Sequence, residues 1–491
     1  MVNLLDKYDL YINGKWTKAN SGKYLQTKSP ATGQFLAEFS QADDIDVNRA
    51  VKAARDAFNK GWKDSTVEER AKLLNKIADI IEENNDLLAE VESLDNGKPI
   101  RETKTVDIPS SADHFRYFAS VIRGEEDQVK LLNGNLLSMV IREPIGVVGQ
   151  IVPWNFPFLM AAWKLAPALA SGNTIVIHPS SSTPLSLLTF VDLIDGILPD
   201  GVLNVITGKG SVSGEILQHH PDLDKLAFTG STEVGREVGI SAAKNLIPAT
   251  LELGGKSANI VFDDADMDKA IDGATLAILF NQGQVCSAGS RLFLQEGIYD
   301  EFLAKLKEKF ESLKIGDPLD ENTQMGSQIN MGQVEKIQSY VDFAKESKAT
   351  IVTGGKMAKV DGLEEGAFYE PTIITDIENS NRCAQEEIFG PVLVVQKFKT
   401  KEEVIKLAND SEYGLAGAVF TKDLNTALEV SRAVRTGRMW VNTYNQLPVG
   451  APFGGYKKSG IGRETHKMVL DAYSEHKNIM IDLSENPSGL Y

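Results

Sequence analysis

The stretch IGVVGQIVPWNFPFLMAAWKLAPALASGNTIVIHP, residues 145–179, sets two β-rich runs, IGVVGQIVP and NTIVIHP, on either side of a segment of helical length. The same alternation continues through TPLSLLTFVDLIDGIL (183–198), VLNVITG (202–208) and KLAFTG (225–230). Short strands separated by helices predict a parallel sheet covered on both faces, an α/β fold.

Working outward, a second alternating block follows Cys286. IYDEFLAKLKEKFESL (298–313) and VEKIQSYVDFAKE (334–346) read as helices, ATIVTGG (349–355) and PVLVVQKF (391–398) as strands. A second α/β domain is the simplest account. Nearer the N-terminus, STVE (65–68) has capping-box spacing, and Leu73, Ile77, Ile80, Ile81 and Leu88 then recur at helical intervals, predicting one long amphipathic helix. HKNIMIDL (476–483) alternates apolar and polar residues beyond the last helical segment. It reads either as an edge strand for a partner sheet or as a strand completing its own domain.

At 491 residues, with 42% hydrophobic and 24% charged residues, the chain has ordinary globular composition and room for more than one core. Asp6, Lys7 and Asp9 interrupt the N-terminus where a secretory signal needs an apolar run, and no run is long enough to span a membrane. Two cysteines, Cys286 and Cys383, build no disulfide framework, so a reducing, cytoplasmic setting is expected. A formal charge of −17 disfavours nucleic acid and anionic membranes as partners.

Several motifs fail on inspection. GKGSVSG (208–214) has Ser213 where G-x-G-x-x-G needs its last glycine, and LELGGKS (251–257) has Thr250 where a P-loop needs its first. There is no H-E-x-x-H and no G-x-S-x-G, and the six histidines are scattered, so no metal site is expected. What remains is a set of groups that work together. Cys286 lies in QGQVCSAGS among small and polar residues, which suits a nucleophile that substrate must reach. Glu252, in TLELGG, is a carboxylate in an apolar run, where burial would raise it toward the range of a general base. Asn155, in PWNFP, offers a side-chain amide to an oxyanion or closes an Asx turn. FTGSTEVG (228–235) reads as strand end, turn and helix start, an arrangement that caps a helix and can also bind phosphate.

Together PWNFP, FTGSTEVG, LELGGKS, FNQGQVCSAGS, QEEIFGPV and PFGGYKKSGIGRE resemble, in order and spacing, the NAD(P)-dependent aldehyde dehydrogenase superfamily. The likeness runs from YINGKW to SGIGRE, and SGIGRETHKMVLDAY and the ending SGLY are closest to the bacterial acetaldehyde-type branch. The resemblance implies a doubly wound cofactor domain (1–121 and 144–254), an α/β catalytic domain (255–458) and an oligomerisation element (122–143 and 475–491), with a homo-dimer or homo-tetramer as the assembly. It implies that Cys286 attacks the aldehyde, that Asn155 and the Cys286 N–H hold the oxyanion, that Glu252 activates the water and that Glu464 helps relay protons.

For NAD or NADP, it implies contacts from Trp154, Gly230, Ser231, Glu387 and Phe389, and places Lys164 at the adenosine ribose. Where the family commonly reads K-P-S-E, this chain has His178-Pro179-Ser180-Ser181. Losing the glutamate removes a barrier to a 2′-phosphate, so NADP is expected to be accepted, with His178 either a phosphate contact or a spacer. Phe156, Met160, Trp163, Phe280, Val285, Leu447 and Phe453 match an apolar substrate tunnel, which implies short or medium aliphatic, or aromatic, aldehydes such as acetaldehyde. An acylating, coenzyme A-dependent enzyme and a catalytically silent member of the fold are the alternatives.

Overall fold

The computed structural model describes residues 4–485, 487 and 490. The first three residues, residues 486, 488 and 489, and Tyr491 lie outside the described residues, and with them part of the 475–491 segment and most of the SGLY ending.

The stretch 145–179 forms the strand Val147–Ile151, the helix Pro157–Ala170 and the strand Thr174–His178, paired in parallel. Every residue of that helix is buried, as expected for a segment apolar on all faces. These strands are central in an eight-stranded sheet ordered Gly460–Ile461, Ala249–Glu252, Lys225–Thr229, Val147–Ile151, Thr174–His178, Leu203–Val205, Leu10–Ile12 and Lys15–Thr17. The five strands from Ala249–Glu252 to Leu203–Val205 are parallel, and the outer ones are antiparallel. Strand order reverses at Val147–Ile151, whose neighbours are Thr174–His178 and Lys225–Thr229. In open α/β sheets such a switch point opens a crevice at the carboxyl ends of the strands, where ligands bind. The carboxyl ends here are Ile151, followed by PWNFP, and Thr229, followed by Gly230 and Ser231.

Beyond Glu252 the chain enters a seven-stranded sheet ordered Thr350–Thr353, Thr372–Thr375, Val392–Phe398, Arg291–Gln295, Ala258–Val261, Ala416–Phe420 and Arg438–Val441, parallel except for its first pair. The chain returns to the first sheet at Gly460–Ile461. A small sheet pairs Leu136–Pro144 with both Gln128–Leu132 and Ser474–Asp482. HKNIMIDL thus completes a sheet of its own chain and stands at its edge.

Two local expectations shift. The capping box forms one residue later than read, between Thr66 and Glu69. The long helix is two, Val67–Glu83 and Asn85–Asn96, because Asn84 leaves helical geometry at φ −112° and ψ 23°. Its side-chain amide donates to the Ile80 carbonyl and closes the first helix, and Leu88 belongs to the second.

Candidate active site

The loop carrying Cys286 is pinned before the cysteine is reached. Asn281, Gln282 and Gly283 all adopt left-handed backbone, at φ 46°, 54° and 76°. Two consecutive non-glycine residues in that region are strained, and hydrogen bonds hold them there. The Asn281 N–H donates to Glu102 Oε2 at 3.0 Å, and its Nδ2 donates to the carbonyls of Asn155 at 2.7 Å and Gln284 at 3.2 Å. Gln282 Nε2 donates to the Ser327 carbonyl at 2.9 Å, and Gln284 Oε1 accepts the Ile329 N–H at 2.9 Å. A Cβ on Gly283 would lie 2.1 Å from the Gly390 carbonyl oxygen, and one on Gly255 would lie 2.3 Å from that of Cys286. The glycines around the cysteine therefore let three loops meet backbone to backbone.

Cys286 opens into a cavity of about 520 Å³. Glu252 reaches it from the end of Ala249–Glu252, Asn155 from the turn after Val147–Ile151, and Gly230 and Ser231 from the end of Lys225–Thr229. Trp154, Glu387 and Phe389 also line it, as do all seven tunnel residues: Phe156, Met160, Trp163, Phe280, Val285, Leu447 and Phe453. Phe156 stacks on Phe280 at 5.9 Å between centroids, and Trp163 meets Phe453 edge-on at 5.2 Å.

Burial pushes the Cys286 thiol up to about 12, with Glu387 and Glu252 adding to the rise. The backbone N–H groups of Ser287 and Cys286 pull the other way. Glu252 is 4% exposed and neither carboxyl oxygen has a protein partner. Burial, reinforced by Glu464, raises it well above the ordinary carboxylate range. Asn155 Nδ2 donates to the Gln284 carbonyl at 2.9 Å, which occupies one of its two hydrogens. A thiol, a buried carboxyl and a side-chain amide thus line one largely apolar cavity.

A family model for the aldehyde dehydrogenase family matches residues 16–479. The chain belongs to the aldehyde dehydrogenase family. It is an NAD(P)-dependent oxidoreductase of the aldehyde group. It is 47% identical to aldehyde dehydrogenase B of Escherichia coli (strain K12), covering 100% of this chain and 96% of that one. A putative aldehyde dehydrogenase from Burkholderia cenocepacia is 41% identical with a TM-score of 0.97, covering 99% of each chain. A mutant of the indole-3-acetaldehyde dehydrogenase of P. syringae, solved in complex with NAD+ and IAA, is 42% identical with a TM-score of 0.95, covering 98% of each chain.

Four residues expected at the site of this aldehyde dehydrogenase lie outside the cavity wall. Lys164 departs from the expected place: its Nζ is bonded to Glu464 Oε1 at 2.9 Å, with both side chains 1% exposed. Glu464 is held there and bears on Glu252 electrostatically. His178 is 1% exposed, with Nε2 2.8 Å from Ser213 Oγ, and burial lowers its pKa to about 4. Burial thus disfavours a charge on its ring, and the side of the ring at Nε2 is taken up by Ser213. Ser181 is half-buried just past the end of the same strand.

Glu102, Asn281, Gln284, Gln333, Lys336 and His114 also belong to this site, without having been expected there. The amide run before Cys286 was a signal for a side-chain-pinned loop. Gln333 Nε2 donates to the carbonyls of Phe389 at 2.7 Å and Ile388 at 3.2 Å, and holds Phe389 at φ 64°. Lys336 brings a cation to the cavity wall. Glu102 and His114 lie far away in sequence, with no local pattern to mark them.

Proposed function

We propose that this chain oxidises short or medium aliphatic, or aromatic, aldehydes to carboxylic acids through a thiohemiacetal and then a thioester on Cys286. The observation that carries the reading is the convergence of Cys286, the Asn155 amide and an unpartnered, buried Glu252 on one apolar cavity. Aldehyde, water and NAD(P)+ give acid, NAD(P)H and a proton.

The cavity suits a nicotinamide. Trp154 and Phe389 meet edge-on at 5.2 Å on its wall, and the helix Thr232–Asn245 starts there, capped by Ser231. A Cβ on Gly254 would lie 2.6 Å from Glu387 Oε2, so only glycine lets that carboxylate lie against the backbone, where its Oε1 accepts the Gly255 N–H. Gly230, Ser231, Trp154, Glu387 and Phe389 would hold the cofactor, whose chemistry is to accept hydride from the aldehyde carbon.

The Cys286 thiol releases its proton to solvent as its sulfur bonds to the aldehyde carbon and the C=O π bond opens onto the oxygen. Burial disfavours the free thiolate, so proton loss has to be coupled to attack. The Asn155 amide and the Cys286 N–H stabilise the oxygen that becomes negative. Once the thioester exists, Glu252 takes a proton from water, whose oxygen forms the new bond to the acyl carbon as the C–S bond breaks. The raised pKa of Glu252 makes its ionised form a strong base, and the Lys164–Glu464 pair behind it offers the proton an onward route.

We assign residues 1–121 and 144–254 to cofactor binding, 255–458 to catalysis, and 122–143 with 475–491 to oligomerisation. The strand Ser474–Asp482 has a neighbour on one side only among the described residues, and Val129, Leu131 and Met480 expose apolar side chains on that sheet. A dimer or tetramer covering it is expected, in a cytoplasmic setting that keeps both cysteines reduced. No described helix is long and apolar enough to cross a membrane.

The test follows NAD(P)H absorbance over a panel of aliphatic and aromatic aldehydes, for the native chain and for Cys286→Ala. The native chain is expected to turn over the neutral aldehydes, and the variant to lose at least about 10⁴-fold in rate. Equal rates in the two proteins, or turnover confined to charged semialdehydes, would overturn the proposal.

A further inference from the structure

One wall of the cavity is less apolar than the tunnel residues suggest. The helix Ile108–Gly124 follows a π-helical turn, Thr103–Asp107, and Val106, Ser110 and His114 line the cavity from this segment at four-residue steps. π turns interrupt regular helical phase and recur at functional sites. His114 Nδ1 lies 2.7 Å from the Ser110 carbonyl oxygen. A carbonyl only accepts, so Nδ1 carries the proton and Nε2 presents a lone pair. Burial lowers the His114 pKa to about 4, so the ring is neutral.

Trp163, from the buried helix Pro157–Ala170, lies beside it, with 5.7 Å between ring centroids. Its indole N–H can only donate. Trp163 Nε1 and His114 Nε2 both lack a protein partner, and the two residues are 4% and 1% exposed. A lone unpaired donor in an apolar wall would be a packing accident. His114 and Trp163 both line the substrate cavity, and each carries a buried polar atom without a protein partner, one an acceptor and one a donor, which makes a matched set. A hydroxyl is a group that can both accept from Trp163 and donate to His114.

We propose that His114 and Trp163 form a subsite for a hydroxyl group on the substrate, so that the enzyme favours hydroxyaldehydes over unsubstituted aldehydes of the same chain length. The inference rests on the reading of this cavity as the aldehyde tunnel and narrows its substrate class. An alkyl chain passing the pair leaves both polar groups buried and unpaired. A site built to bond a substrate hydroxyl therefore rejects the analogue that lacks it more strongly than an apolar pocket rejects a missing methylene.

The experiment measures kcat/KM for straight-chain aldehydes and their ω-hydroxy counterparts, length by length, in the native chain and in His114→Leu and Trp163→Phe. At the length that brings the hydroxyl to the pair, the native enzyme is expected to prefer the hydroxyaldehyde by at least about tenfold. Each variant should bring that ratio below about twofold, because each removes one side of the bridge. The ratio is taken within each protein, so a general loss of activity or stability cancels. Plain aldehydes turned over with no hydroxyl preference at any length would overturn the inference and leave the proposed function standing. A preference that survives both substitutions would overturn it too. No oxidation of either series would overturn it together with the proposed function.

Discussion

Glu102 and Glu252 are both buried carboxyls, one bonded to the cysteine loop and one on the cavity that Cys286 lines, and they differ in what surrounds them. Glu102 has a partner in the loop, the Asn281 N–H, and feels Lys98, whose Nζ is bonded to Asp107 Oδ2 at 2.6 Å. Burial raises its pKa to about 8, against the pull of Lys98. Glu252 has no hydrogen-bond partner, and its strongest charged neighbour is another carboxylate, Glu464. A buried polar group with its bonds made fixes geometry, whereas one with its bonds unmade is available to take or give a proton. On the proposed function, Glu102 positions the loop and Glu252 is the carboxyl left free to exchange a proton.

The largest effect that would test this contrast comes from Glu252→Gln. The amide keeps the shape and removes the base, so steady-state kcat should fall by about 10²–10⁴-fold while the first burst of NAD(P)H survives. Loss of burst and steady state together would move Glu252 into acylation.

Glu102→Ala should lower kcat by about 100-fold, the scale of misplacing a reacting group by an ångström, and should also lower the melting temperature. Glu102→Gln keeps an acceptor for the Asn281 N–H and should recover most of the rate. Equal defects in the two variants would show that charge, not geometry, is what Glu102 supplies.

Cys286 gives a smaller, graded effect. Burial holds its thiol high, so the thiolate fraction should grow about tenfold per pH unit over the neutral to alkaline range. Iodoacetamide alkylation of the unliganded enzyme should follow that slope, with fully buried Cys383 unreactive. A rate that is already flat at neutral pH would mean a depressed thiol and would contradict the electrostatics described above. The smallest effect belongs to Ser181→Glu, which restores a carboxylate at the expected ribose position. It should shift the NAD-over-NADP ratio of kcat/KM toward NAD by about tenfold. No shift would place the ribose elsewhere.

Much of this was legible in the sequence. The runs at 145–153, 173–179, 202–208 and 225–230 became parallel strands because each is short, apolar and bounded by turn residues. Cys286, Asn155 and Glu252 stood out because their polar or glycine-rich settings contradict a simple core. Lys164 misled: its sequence context gives no sign of Glu464, 300 residues away, and only tertiary pairing shows where the charge goes. The break at Asn84 was hidden by apolar periodicity that runs on through two helices. His114 reads as an ordinary residue on an amphipathic helix until the π turn at 103–107 and the neighbouring Trp163 place it on the cavity wall.

The central claim is that Cys286 carries the acyl group and Glu252 releases it. Intact-protein and peptide mass spectrometry of Glu252→Gln, quenched after mixing with NAD(P)+ and the aldehyde that the native enzyme oxidises fastest, tests it most directly. One acyl group per chain is expected, on the peptide containing Cys286, persisting in the variant and absent from the native enzyme once substrate is consumed. An unmodified Cys286, or an acyl group on another residue, would contradict it.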